Sequence, residues 1–167
     1  MCNKLSVLLI FIVCSMVISL SSLSASAAPD LPGAGEEVST GDFVIAAGET
    51  ATLEGILSGD TTLLNSGTLH VGNAGGFKGL ASVINEGTVS GDLKLWETAQ
   101  LSNTGHVESL SQNDNTFTSL NGTAANVRLF ADDDSSIGIQ IVGTVEKIDA
   151  DVLSPANSAF LLVNCPK

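Results

Sequence analysis

Cysteine is scarce in this chain. There are three in 167 residues, and two of them, Cys2 and Cys14, fall in an apolar leader that is expected to be removed. Only Cys165 would then remain, so no intrachain disulfide can form. A domain working in an oxidising compartment must in that case hold together by burial and backbone pairing. Basic residues are the second shortage. Six Lys and Arg stand against 18 Asp and Glu, a net charge of −12, which moves to about −13 once Lys4 leaves with the leader. The sign of that field excludes nucleic acid as a partner and disfavours anionic membrane surfaces, while it favours solubility and basic partners.

Catalytic signatures are missing as well. No serine sits in a G-x-S-x-G elbow, and Cys165 has no evident base nearby. His70 and His106 lie 36 residues apart at different positions of the repeat described below, without the paired ligands of a zinc site. Neither the EF-hand spacing nor a G-G-x-G-x-D repeat occurs. Trp96 and Phe77, Phe117, Phe130 and Phe160 are dispersed along the chain and read as core fillers or edge caps rather than a sugar-stacking platform. The sequence is therefore read as non-enzymatic, with no cofactor.

What is present begins with Lys4, an apolar run from Leu5 to Leu20, a serine-rich stretch and the small residues Ala25-Ser26-Ala27. These are the three regions of a cleavable secretory signal, which predicts a signal peptide over 1–27 and no stable membrane insertion after cleavage. Cys14 follows Val13 rather than a small residue, which argues against a lipoprotein. The expected location is extracellular or at the cell surface, with the periplasm as the bacterial equivalent. Residues 28–40 carry two prolines, two glycines and three acids with no apolar periodicity, and read as a flexible leader or an end cap. From Gly41 to the end, short runs of Val, Ile, Leu and Thr alternate with Gly, Asn, Asp and Ser, a pattern of strands and turns with almost no helix.

One motif recurs through this region, as T-L-L-N-S-G-T-L-H-V at Thr62, S-V-I-N-E-G-T-V-S-G-D-L at Ser82 and Q-L-S-N-T-G-H-V-E-S-L at Gln100. A fourth copy, S-L-N-G-T-A from Ser119, lacks one residue between Asn and Gly, and a fifth at Ile141 lacks the Asn. The motif glycines Gly48, Gly67, Gly87, Gly105, Gly122 and Gly143 stand 19, 20, 18, 17 and 21 residues apart. A repeat of that size is one solenoid coil. The fold class predicted is all-β, a single-stranded parallel β-helix of about six coils with 17–21 residues each. An antiparallel sandwich is the runner-up. Each glycine is expected at a coil corner, where it supplies a positive φ or a close backbone approach. Asn65, Asn85, Asn103 and Asn121 are expected to stack as a structural asparagine ladder, and Thr68, Thr88, Thr123 and Thr144 to form one threonine column broken by His106.

The N-x-G-[TH]-[VL] units at Asn65, Asn85 and Asn103 resemble the parallel β-helix repeats of secreted bacterial adhesins, haemagglutinins and autotransporter passenger domains over roughly residues 42–148. The period and the glycine-rich coils also resemble bactofilins, which polymerise end to end, although those typically carry no signal peptide. The first resemblance implies a secreted adhesive or structural protein. Its partner would be a surface glycan or protein ligand, with self-association through the two open solenoid ends as a further route. Two alternatives stand beside it. One is an ice-binding protein using the threonine column. The other is a polysaccharide-active enzyme using Arg128 with the run Asp132-Asp133-Asp134, which is also the weak Ca²⁺ candidate, with Asp114 as a neighbour.

Overall fold

The computed structural model describes residues 27–113, 115–131, 136–152 and 158–163. Residues 1–26 of the expected signal peptide, Asp114, the Asp132–Asp134 run and Cys165 lie outside the described residues. Strand β1 covers Glu37–Ile45, β2 Thr50–Leu53, β3 Ile56–Asn65, β4 Thr68–Val71, β5 Gly76–Lys78, β6 Ser82–Asn85 and β7 Thr88–Trp96. These are followed by β8 Gln100–Asn103, β9 His106–Asn113, β10 Phe117–Leu120, β11 Thr123–Ala131, β12 Ser136–Ile141, β13 Thr144–Val152 and β14 Ser158–Val163. Among the described residues all 14 strands belong to one sheet and every strand pairing is parallel. The chain is thus a β-solenoid of about six turns, as the glycine period implied.

Each coil contributes to three walls. The first wall stacks β2, β4 and the opening residues of β7, β9, β11 and β13. The second stacks the start of β1 and β3, then β5, then the closing residues of β7, β9, β11 and β13. The third stacks the ends of β1 and β3 with β6, β8, β10, β12 and β14. At the usual strand spacing, six coils rise roughly 29 Å.

Alternation along each strand sends every second side chain inward. One inward column on each wall makes up much of the core. These are Ala51-Leu69-Val89-Val107-Ala124, Leu57-Phe77-Leu95-Gln112-Leu129 and Leu63-Val83-Leu101-Thr118-Ile139. The apolar members are all buried. A single coil has no second layer of its own, so each residue gains its burial from the coils above and below it.

The coil from His106 to Leu120 breaks this pattern, because Gln112, Thr116 and Thr118 all point inward and are at most 2% exposed. The Gln112 Nε2 donates to the Gly138 carbonyl at 3.0 Å, while Gln112 Oε1, Thr116 Oγ1 and Thr118 Oγ1 have no partner among the described residues. A buried hydroxyl without a hydrogen bond costs on the order of 1–3 kcal/mol. Thr118→Val, which keeps the shape and removes that hydroxyl, is therefore expected to stabilise the protein by about 1 kcal/mol. Urea midpoints would measure the change, and a lower midpoint would show that the hydroxyl contributes a bond.

The leader is ordered against the first coil. Leu31 and Pro32 are buried, and the Pro32 carbonyl accepts from Glu54 N at 3.2 Å and Gly55 N at 2.8 Å. Strand pairing then begins at Glu37, within the span that composition assigns to the leader, because Glu37 and Val38 find ready-made partners in Ile56 and Leu57. Residues 31–36 thus act as the cap rather than as a free tail.

Candidate functional site

The corner between the third wall and the first is two residues long in five successive coils, namely Ser66-Gly67, Glu86-Gly87, Thr104-Gly105, Asn121-Gly122 and Val142-Gly143. The glycines stack so closely that a Cβ on Gly87, Gly105, Gly122 or Gly143 would lie 1.8–2.2 Å from the carbonyl oxygen of the glycine one coil earlier. Close approach is what these positions require, and none of them has a positive φ. Gly48 differs from the expected column. It sits in the longer turn Ala46–Glu49 with φ +86° and open space around it, so its demand is conformational.

Just before that corner, Asn65 Nδ2 donates to Asn85 Oδ1 at 2.7 Å, and Asn85 Nδ2 donates to Asn103 Oδ1 at 2.6 Å. All three amides are fully buried and also bond backbone groups, including the Thr88, His106 and Thr123 carbonyls. Asn121 is a correction to the four-membered ladder. Register places Leu120 opposite Asn103, and Asn121 is exposed one position later, in the column of Ser66, Glu86 and Thr104. The fourth motif is one residue short, and stacking Gly122 on Gly105 pushes its asparagine out of the core. Ile45 above and Leu120 and Ile141 below close the column with apolar side chains.

On the first wall, the outward column reads Thr50, Thr68, Thr88, His106, Thr123 and Thr144, so Thr50 joins the four threonines singled out from the sequence. The parallel outward rank begins Thr52, His70, Ser90, and it is not a second threonine rank. His70 Nδ1 bonds Ser90 Oγ, and His106 Nδ1 lies 2.8 Å from Thr123 Oγ1. Thr116 and Thr118, on either side of Phe117, both face the core and add nothing to this surface. Among the described residues, no group of three or more His, Cys, Asp or Glu is placed to hold a metal ion.

The second wall carries what sequence reading missed. All four described bases, Lys78, Lys94, Arg128 and Lys147, lie on its outward positions. Trp96 and Phe130, dispersed in sequence, share one outward column with Asn113 between them. The indole packs against Gly76 of the preceding coil, where a Cβ would meet Trp96 Cζ3 at 2.3 Å. On its other side, Trp96 Nε1 donates at 3.3 Å to the Asn113 side-chain oxygen, with the amide turned so that its nitrogen donates to the Gln112 carbonyl. The dispersed-filler reading holds for Phe77, which is fully buried, and fails for this pair. The signal that would have found it is the likeness of Asp92-Leu-Lys-Leu-Trp96 to Asn126-Val-Arg-Leu-Phe130.

No protein-family model matches the chain, and neither a curated protein nor a solved structure matches it.

Proposed function

We propose that the chain is a secreted, non-enzymatic structural or adhesive protein of the cell surface or extracellular matrix, in line with its repeat-level resemblance to adhesin passenger domains. The observation that carries this reading is the continuity of the outward columns. On each wall, side chains at one motif position recur in register from coil to coil, which makes an extended surface suited to a long or repetitive partner. Fold alone is a weak guide to activity, and those surfaces are what support the reading. The test is to incubate the labelled, folded protein with intact cells, extracellular matrix and matrix polysaccharides, following both retention and the release of reducing ends. Retention without cleavage is the expected result. Release of reducing ends would overturn the reading in favour of a polysaccharide-active enzyme.

A second reading, ice binding, draws on the five in-register threonines of the first wall. It expects thermal hysteresis that is lost in Thr88→Lys, since Thr88 is exposed in mid-column. Absence of hysteresis in the unmodified protein would dismiss it.

A further inference from the structure

We infer that the second wall is a binding site for an extended acidic polysaccharide running parallel to the solenoid axis; the inference rests on the adhesive reading and names its ligand class and site. The strands β7 and β11 present the same outward series two coils apart, with a hydrogen-bonding side chain, a base and an aromatic ring at alternate positions. These are Asp92, Lys94 and Trp96 on β7, and Asn126, Arg128 and Phe130 on β11. Between the two series β9 contributes Ser109, Ser111 and Asn113, which are short and polar. The two base-plus-ring units therefore flank a shallow row, about 10 Å apart at two strand spacings. A polymer whose acidic group recurs every second sugar would meet both units with the same contacts.

The charges are arranged for such a ligand. Among the described residues, ion pairs join Lys78 to Glu97 at 3.6 Å and Lys147 to Asp149 at 2.6 Å. Among the described residues neither Lys94 nor Arg128, the two bases of the repeated series, is in an ion pair; Asp149, in register beside Arg128, is paired with Lys147. Lys94 donates only to the Asn73 carbonyl. The nearby Asp92 carboxylate is occupied by the hydroxyls of Ser109 and Ser111 at 2.8–3.0 Å. Two bases outside the described ion pairs, in a chain of net charge −12, are suited to carboxylate or sulfate groups, to which charge-assisted hydrogen bonds are strong. Trp96, half-buried beside Gly76, and Phe130, 39% exposed, supply aromatic surface on which the C–H groups of a sugar can pack.

The experiment is affinity electrophoresis of the folded protein through gels containing polygalacturonate, a sulfated galactan or a neutral β-glucan. Retardation by the acidic polymers and not by the neutral one is expected. The double variant Lys94→Gln/Arg128→Gln and, separately, Phe130→Ser are expected to weaken the interaction roughly tenfold or more. Lys78→Gln and Lys147→Gln, whose bases are already paired, should bind like the unmodified protein. Trp96→Ala can disturb the packing over Gly76, so Phe130→Ser and the charge variant, with circular dichroism unchanged, carry the test. Equal retardation by the neutral polymer, or unchanged retardation of the double variant, would overturn the inference. So would a protein that coats cells or matrix yet is not retarded by either acidic polymer, and that outcome leaves the adhesive reading intact. Failure to adhere to any of these surfaces overturns both.

Discussion

Gly105→Ala is expected to destabilise the protein by about 3 kcal/mol or more, among the largest effects of any single methyl group in the chain. The added carbon would lie 2.1 Å from the Gly87 carbonyl oxygen and 2.6 Å from the Glu86 carbonyl carbon. Both are backbone atoms, so no flexible side chain can move aside. Relief requires the coils to separate at this corner, where His106 N bonds the Gly87 oxygen at 2.8 Å and Thr104 N bonds the Asn85 oxygen at 2.8 Å. Because coils are stabilised mainly by their neighbours, damage at a central interface weakens both halves of the stack. Gly35→Ala is the control. Its φ of +82° disfavours a side chain, but nothing lies within 4 Å, so a cost of about 1 kcal/mol is expected. Equilibrium urea unfolding compares the two, and a Gly105→Ala midpoint no lower than that of Gly35→Ala would refute close stacking as the reason for glycine here.

The second large effect is expected at Asn85, the middle member of the amide ladder. Its side chain accepts from Asn65, donates to Asn103, and lies within bonding distance of the Gly87 and His106 carbonyls at 3.4 and 3.2 Å. Asn85→Ala leaves a buried donor on Asn65 and a buried acceptor on Asn103 short of a partner, and opens a small void. A loss of about 3 kcal/mol follows from stranding these polar groups in a dry interior. Asn121→Ala, at a motif position that looks equivalent in sequence, is expected to change stability by no more than about 0.5 kcal/mol, since that side chain is exposed and its closest partner is Ser119 Oγ at 3.5 Å. Thermal or chemical denaturation of the two variants distinguishes a three-membered ladder from a four-membered one. Equal losses would restore Asn121 to the core column.

The contrast between these two asparagines marks how far the sequence could be read. Glycines at 17–21-residue intervals, all but the first followed by Thr or His and an apolar residue, were enough to predict a parallel solenoid, its number of coils and its corners. Interaction between coils depends on one recurrent position, and a motif keeps that position visible despite uneven coil lengths. The fourth motif is one residue short, and sequence does not state whether its Asn or its Gly keeps the register. Backbone stacking decides for Gly122, because the glycine-to-carbonyl approach tolerates no substitute whereas the asparagine's place is filled by Leu120.

The second wall was hidden for a related reason. It lies midway between successive glycine motifs, where coil lengths differ and the register between β7 and β9 shifts at residues 89–92. Counting from the motif therefore does not align Trp96 with Phe130, and rings 34 residues apart look scattered. The likeness between residues 92–96 and 126–130 skips a coil, so a search for one-coil periodicity passes over it. By itself the sequence determined the solenoid, its corner glycines and an amide ladder, because those features repeat with the backbone. Only the tertiary structure decided which asparagine leaves the ladder and which bases and rings share a wall. Both depend on local insertions and deletions being absorbed at particular corners, and that is settled by close packing between coils.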